Sequence, residues 1–508
     1  MEHVIQALGS VFAIQTLLFI FIGVAVGILF GAVPGLTAVM AVALFLPVTY
    51  GMSPGVGISI LIALYIGATS GGLISAILLK IPGTPSSVAT CFDGHPMMEK
   101  GEGPKALGVG IVFSFVGTIL SILALMLVAP NLAKVAIKFG PHEYFAIAIF
   151  SLTLIAALSG KSMIKGIFAG VLGIAFGTVG IAPVDAAVRF TFGTNELKGG
   201  FNTLTVLVGL FAISEVIKTA EKIKSASKDE VAQVSMKSIK GFGFSWKEFR
   251  EQLPNCGLSS LLGVCIGILP GIGAATSNIV AYTVSKKRSK RGHLYGTGVI
   301  DGIVASESAN NAGIGGALIP LMTLGIPGDA VTAILLGGFM LHGIQPGPLL
   351  FTNNATLVYT IFIAMIVSSV AMLILEFYGL RIFSQLLNVP KHLLLPIILV
   401  LCVVGAFGIN SRVFDVWTIL VFGLVGYLFV KFKAPHAPFI MGFILGPMAE
   451  TNLRRGLMFS EGKFSGFLTN PISGTFLVLA LASIVWSAAS HYRNSRRDQE
   501  MLVVEDEE

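Results

Sequence analysis

Two Pro-Gly pairs, Pro34-Gly35 and Pro270-Gly271, interrupt apolar stretches of this sequence, and Ile81-Pro82-Gly83 and Ile326-Pro327-Gly328 follow them. Proline has no N–H and clashes with the preceding turn, and glycine adds backbone freedom, so each pair ends a helix and frees polar backbone groups. In an apolar medium those groups must be satisfied, and irregular backbone survives only where protein or a water-filled cavity covers it. There, the N-terminus of a half-helix offers N–H groups to an anion, and free carbonyls can hold a cation.

Polar side chains gather beside the second kind of break: Thr69, Ser70, Ser75, Thr84, Ser86 and Ser87 in the first half, and Ser306, Glu307, Ser308, Asn310, Asn311 and Asp329 in the second. An ionised carboxylate at the centre of a membrane helix costs about 2.5–3.5 kcal/mol on insertion scales. Glu307 and Asp329 are therefore expected to face a cavity, an ion or a hydrogen-bonded partner. Either suits a coupling cation, Na⁺ through a hard oxygen ligand or H⁺ through a titrating group. Asn310 and Asn311, beside Gly313, Gly315 and Gly316, each bring two donors and an acceptor, which can hold a carboxylate or line an ion site. Ser70, Thr84, Ser86 and Ser87, with the opened backbone at Gly328, are the other candidates for binding an anion. The plainer role for the hydroxyls is interhelical glue at about 0.6 kcal/mol per bond, and for Gly27-xxx-Gly31 and Gly263-xxx-Gly267 close helix packing. Glu376, near Arg381, reads as a structural pair at the membrane interface, and His342 as a loop end.

The elements that must position these residues are membrane helices. Of 508 residues, 54% are hydrophobic and 12% charged, with mean hydropathy +0.87, unlike soluble domains. Apolar runs near 12–33, 106–129, 357–376 and 467–489 reach the roughly 17–25 residues that span a hydrocarbon core. Runs 143–158 and 437–449 are shorter and read as tilted, broken or re-entrant. The expected fold is an all-α membrane protein of about ten to twelve transmembrane helices. Residues 1–79 hold no Lys or Arg, so the N-terminus lacks a signal peptide's basic region and is expected to stay in the mature protein. Cys91, Cys256, Cys265 and Cys402 form no CxxC pair and read as packing residues. The net charge of +7 sits in loops, which suits membrane orientation and not nucleic acid.

The chain divides into a first membrane repeat (1–217), a polar linker (218–254), a second repeat (255–466), an extra C-terminal helix (467–490) and a tail (491–508). The linker from Lys218 to Pro254 has eight basic and five acidic residues, and its end, Phe242 to Phe249, resembles an interfacial segment. Gly27, Gly31, Pro34, Gly35 and Ala38 match Gly263, Gly267, Pro270, Gly271 and Ala274 at an offset of 236. Leu79-Ile81-Pro82-Gly83 matches Leu324-Ile326-Pro327-Gly328 at 245, and Gly103-Pro104 matches Gly347-Pro348 at 244. Three collinear blocks point to duplication. Lys/Arg bracket the second Pro-Gly segment, at the linker and at Lys286, Lys287, Arg288, Lys290 and Arg291, whereas the flanks of the first hold none. Opposite charge environments predict inverted repeats whose segments 11–50 and 255–285 are re-entrant hairpins or single crossing helices broken at Pro-Gly. The tail, with Arg493, Arg496 and Arg497, is expected in the cytoplasm and disordered.

The paired GAVPGLTA and GILPGIGAATS, with IPGTPSS, IPGD and a length near 500, resemble the large membrane subunit, TctA, of the tripartite tricarboxylate transporter family over essentially the whole chain. That resemblance implies a bacterial inner-membrane, ion-coupled importer of carboxylates working with a small membrane subunit (TctB-like) and a periplasmic solute-binding protein (TctC-like). It makes Pro34-Gly35-Leu36-Thr37 and Pro270-Gly271-Ile272-Gly273 the corresponding motifs and adds Thr37 to the substrate candidates. Gly273 stands where the first copy has Thr37, so a hydroxyl there is not symmetric.

The residues read as a secondary transporter without a cofactor, in which site-bearing segments move against a fixed remainder. No GxxxxGK[ST] phosphate loop offers ATP drive. An intramembrane enzyme would need HExxH or a nucleophile with its base, and a channel would need rings of like charge or a repeated filter; neither pattern occurs.

Overall fold

The computed structural model describes residues 2–157, 163–223, 242–271, 273–386, 391–485 and 489. Ile272, linker residues 224–241 and the whole tail lie outside them. The described chain is helical apart from one antiparallel pair, Gly180–Ile181 with Val188–Arg189.

Along the chain, α1 (Glu2–Val11) and α2 (Ile14–Ala32) precede the first Pro-Gly break, and α3 (Ala38–Phe45) leaves it. Thr37 starts α3 because its Oγ1 accepts from Met40 N at 3.2 Å. Helix α4 (Pro54–Leu79) runs into the first Ile-Pro-Gly, followed by α5 (Thr90–Glu99) and the long α6 (Gly103–Ala136). Then come α7 (Pro141–Ala157), α8 (Met163–Gly177), α9 (Thr203–Val208) and α10 (Ser214–Ile223). The second half repeats the order: α11 (Trp246–Gly267), the Pro270-Gly271 break, α12 (Gly273–Arg288), α13 (Ile300–Leu324), the second Ile-Pro-Gly and α14 (Ala330–Leu341). A short α15 (Leu350–Asn353) leads to α16 (Ala355–Leu386), and α17 (Lys391–Asn410), α18 (Val413–Lys431), α19 (His436–Phe459) and α20 (Ser465–Thr469) follow, with a further helix over Pro471–Val485.

Both Pro-Gly segments fold back on themselves. Ser285 Oγ near the end of α12 donates to Asn255 Oδ1 near the start of α11 at 2.6 Å, and Phe45 returns to within 6.4 Å of Phe30, ring to ring. Left-handed glycines make the turns, Gly35 at φ +99° and Gly271 at φ +77°.

Among the described residues, six helices are long and apolar enough to cross a membrane: Ile14–Ala32, Pro54–Leu79, Gly103–Ala136, Thr203–Glu221, Ala355–Gly379 and Val413–Lys431. Shorter apolar helices include Ala38–Thr49, Ala330–Leu341, Leu395–Gly408 and Pro471–Val485. The expected all-α membrane class is what forms among the described residues: six apolar helices of spanning length, with shorter apolar helices beside them. Two of the short ones are cut at the breaks. The 25-residue α13 is long enough but carries the run from Ser306 to Asn311.

Among the described residues, those within Met1–Ile137 and Leu204–Tyr427 form one compact unit, and those within Lys138–Thr203 and Leu428–Glu508 another. In the first, α2 packs along α4 and α11 along α13. Glycines permit it: a Cβ on Gly27 would lie 2.5 Å from Leu64 O, and one on Gly263 would strike Ala309 O. The long arms then exchange, α6 packing on α13 and α16 on α4. Helices α4 and α13 are consequently buried along almost their whole length with their polar residues inside, while Leu123 and Leu127 of α6 and Ile366, Val370 and Ile374 of α16 face outward. Polar inside and apolar outside is the arrangement a lipid solvent selects.

The aromatic run 242–249 is anchored by packing more than by an interface: Phe249 stacks on Phe113 of α6 at 5.4 Å, and Phe242 lies 4.3 Å from Phe377 of α16. Trp246 alone is largely exposed. The second unit packs α19 against α7 and α8 and holds Arg189 and Arg454 on Glu450 at 2.7 and 2.9 Å.

Candidate functional site

The first Ile-Pro-Gly break leads into a hydroxyl cluster. Thr84 N donates to Ser87 Oγ at 3.3 Å, Ser87 Oγ donates back to Thr84 O at 2.9 Å, and the Thr84 and Ser86 hydroxyls lie 3.0 Å apart. Gly72 of α4 makes room, since a Cβ there would sit 2.6 Å from Thr84 Oγ1. Gly83 packs against Gly31 O and Ser75 Oγ, and the Ser75 hydroxyl, buried, has no hydrogen-bond partner among the described residues.

The second break ends in a carboxylate. Asp329 caps α14, its Oδ1 accepting from Thr332 N at 2.7 Å and Thr332 Oγ1 at 2.8 Å, while Oδ2 takes the Tyr65 hydroxyl at 2.5 Å. Position 329 is the repeat partner of Thr84 at the same offset of 245. Equivalent caps thus carry opposite chemistry, a neutral hydroxyl in one half and an acid in the other. Gly273 shows why its own side chain is missing: it sits at φ +62°, and a Cβ would lie 2.7 Å from Asp329 Cβ. Gly328 joins the two breaks, its O accepting from Gly271 N at 2.8 Å, and a Cβ there would lie 2.6 Å from Gly267 O and from Ala317 Cα.

A second polar seam crosses the interior. Glu307, fully buried on α13, accepts from Thr90 Oγ1 on Oε1 and from Ser114 Oγ at 3.0 Å on Oε2. Asn311 Nδ2 donates to Ser114 Oγ at 2.8 Å and reaches Glu307 Oε2 at 3.4 Å. Asn310 Nδ2 donates to Thr69 O at 3.3 Å, and the neighbouring Ser70 hydroxyl donates to Glu376 Oε2 at 2.9 Å. Buried acceptors remain open: Oδ1 of Asn310, Oδ1 of Asn311 and Oε1 of Glu376 have no hydrogen-bond partner among the described residues. Buried polar atoms are rarely left so, and open oxygens beside two acids are the ligand type a small hard cation or a proton takes.

The sequence profile of the Tripartite tricarboxylate transporter TctA family matches residues 17–441. The chain belongs to that family. It is 35% identical over 486 residues, 96% of its length and 95% of the relative's, to the "Uncharacterized 52.8 kDa protein in TAR-I ttuC' 3'region" of Agrobacterium vitis. It is also 37% identical over 245 residues, 48% of its length and all of the relative's, to the "Uncharacterized protein in TAR-II ttuC' 3'region" of the same organism. No solved structure matches. Membership in the TctA family makes this a multi-pass membrane component of a tripartite tricarboxylate transporter.

In this TctA-family chain the candidate residues fall into separate groups. Thr84, Ser86 and Ser87 are together, Asp329 stands with Tyr65 and Thr332, Glu307 with Asn311, and Ser70 with Glu376. Thr37 only caps α3. Pro34 and Pro82 are partly exposed, whereas Pro270 and Pro327 are buried. Glu376 differs from expectation: it is fully buried and bonded to Ser70, not exposed at an interface, and the Arg381 side chain lies outside the described ones. Sequence reasoning also passed over Tyr65, Thr90 and Ser114. Extending the repeat offset would have paired Tyr65 with Asn310 and Thr84 with Asp329; Thr90 and Ser114 are single hydroxyls in ordinary company and carry no such signal.

Proposed function

We propose that this protein is the large permease subunit of an ion-coupled importer of tricarboxylates or related carboxylates in a bacterial inner membrane. It works there with a small membrane subunit and a periplasmic solute-binding protein, its C-terminus in the cytoplasm. The reading carries no catalysis and no cofactor beyond the coupling cation, Na⁺ or H⁺.

The observation that supports it best is the unequal pair of caps at the repeat-equivalent positions 84 and 329. A carboxylate substrate is repelled by Asp329, whose negative charge already occupies the N-terminus of α14. The neutral cap at Thr84, with Ser86 and Ser87 beside it and the open Ser75 hydroxyl next to Gly83, takes an anion without that penalty. Asp329 and the Glu307 seam, including Asn310 and Asn311, serve the cation. The exchange of α6 and α16 between halves suits an inverted repeat, in which one half's breaks open as the other's close.

The test is uptake of labelled citrate into proteoliposomes containing all three components, under an imposed Na⁺ or proton gradient. Thr84→Val with Ser86→Ala is expected to raise the substrate KM with ion dependence intact, and Asp329→Asn to change ion dependence first. Absence of gradient-dependent uptake of every carboxylate tried would sink the transporter reading.

A further inference from the structure

The cluster at Thr84 has a second polar feature beside it that the function above does not use. A cavity of about 650 Å³ opens between Lys80 and Pro82 of the first half and Tyr282 and Lys286 of the second. Neither lysine has an ion pair or side-chain hydrogen bond among the described residues.

Lys80 is the unusual one. It ends α4 at φ +57°, in the left-handed region that side chains disfavour. Its repeat partner at the offset of 245 is Gly325, which ends α13 at φ +71° and meets the same requirement with no Cβ. Glycine would therefore serve the helix end with less strain than the lysine that stands there. Lys286, in the last turn of α12, matches Tyr50 at the offset of 236. The repeat-equivalent positions, Gly325 and Tyr50, carry no cation, so the lysine pair has no counterpart on the other side of the repeat.

We infer that this cavity, with Lys80 and Lys286 as its charged contacts, binds an organic di- or tricarboxylate at a station next to the Thr84 cluster. The inference rests on the carboxylate-transporter reading for the identity of the anion. The volume exceeds what a six-carbon tricarboxylate with some water needs, and two ammonium groups answer two carboxylates. Phe92, Tyr282 and Tyr295 wall the space, with Phe92 and Tyr295 each edge-on to Tyr282 at 5.3 Å. The two tyrosine hydroxyls are already taken, Tyr282 by Asp93 at 2.8 Å and Tyr295 by Ser285 at 2.6 Å. The rings thus offer apolar surface to a carbon skeleton, and orientation comes from the lysines. Asp93 does not compete for them, because Gly296, Gly298 and Val299 N–H groups saturate its other oxygen at 2.9, 2.8 and 3.1 Å. Lysines are hydrated point charges on flexible stems, which favours weak, releasable binding over a rigid clamp.

Cys91 lines the same cavity and supplies a reporter once the exposed Cys265 is replaced by serine. Full-length protein in nanodiscs is treated with a small maleimide in the presence of citrate, tricarballylate, malate, succinate or, as control, acetate. At least one polycarboxylate is expected to slow Cys91 modification, and acetate is not. Lys80→Gly, which keeps the backbone at ease and removes the amine, and Lys286→Gln are each expected to raise the half-protecting concentration by about tenfold or more, and Lys80→Arg to retain protection. Calorimetric titration of the same anions gives the same comparison if Cys91 proves unreactive. No binding by any polycarboxylate, or protection unchanged in both lysine variants, overturns the inference. Uptake by the three-component system run in parallel separates the two readings. Uptake without cavity binding removes only the cavity, and lysine-dependent cavity binding without any uptake removes only the transporter.

Discussion

The hydroxyl of Ser70 on α4 donates to Oε2 of Glu376 on α16 at 2.9 Å, and it is the one hydrogen-bond donor that this fully buried carboxyl has among the described residues. The bond ties the core helix of the first half to the long arm of the second. Ser70→Ala leaves Glu376 with neither oxygen satisfied, so a loss of about 1–3 kcal/mol is expected, read as a lower thermal midpoint of the detergent-solubilised protein. Glu376→Gln keeps a group of the same size that can still accept from Ser70, and is expected to lose much less.

Glu307 makes the complementary contact, acid on the core helix α13 and hydroxyl, Ser114, on the arm α6. If it holds the coupling cation, Glu307→Gln abolishes the response of uptake to the ion gradient while the protein still inserts and still exchanges labelled for unlabelled substrate. Ser114→Ala, which removes one contact to Glu307 and one to Asn311, is expected to raise the cation concentration for half-maximal uptake by about tenfold, near the 1.4 kcal/mol of a charged hydrogen bond. Unchanged ion dependence in both variants would place the cation elsewhere.

The departure of Gly273 from Thr37 was visible as a mismatch between repeats, but its cause was not. It depends on Asp329 arriving from a segment more than fifty residues away and filling the space. The two positions should therefore respond oppositely. Gly273→Thr adds a side chain at φ +62° against Asp329 Cβ and is expected to prevent accumulation of folded protein. Thr37→Gly removes one cap bond and is expected to cost only a few tenths of a kcal/mol.

What could be read from the sequence was what repeats. The breaks, their order and the helical class all follow from Pro-Gly spacing and apolar length, and they reappear in α2–α4 and α11–α14. The exchanged arms were illegible, because α6 and α16 are apolar over most of their length and their few polar residues do not say which helix each will cover. Glu376 was misread for the same reason: near Arg381 in sequence it looked like one half of an ion pair, and only the packing of α16 on α4 brings it to Ser70. Lys80 was hidden too, since a lysine after an apolar helix is ordinary until its φ is known.

Acid should expose one contact at the polar start of α11. Hydrogen bonds from Lys105 at 2.5 Å, and then from Ser245 N, hold the Glu248 carboxyl down to about 2 from an ordinary 4.5. A depressed pKa means the stabilisation is complete above pH 4.5 and fades as the pH falls toward about 2. Glu248→Gln is expected to flatten the dependence of thermal stability on pH across that window, leaving the curve above it parallel to the parent's. Both side chains are partly exposed, so added salt should shrink the difference.

Gly83 and Gly328 make the same contact in the two halves, and this gives the duplication an energetic test. A Cβ on Gly83 would strike Gly31 O, and one on Gly328 would lie 2.6 Å from both Gly267 O and Ala317 Cα. The obstructing atoms are mostly backbone, which cannot rotate away as a side chain tip would, so the helices must separate. Gly83→Ala and Gly328→Ala are each expected to destabilise by about 1–3 kcal/mol and to lower the monodisperse fraction in detergent. Gly257, on α11 with no heavy atom within 4 Å of its would-be Cβ, is the control. Gly257→Ala gains helix propensity without a clash and should be neutral or more stable by up to about 1 kcal/mol. If all three alanine variants melt together, the close approach at the breaks does not hold the helices of each half together.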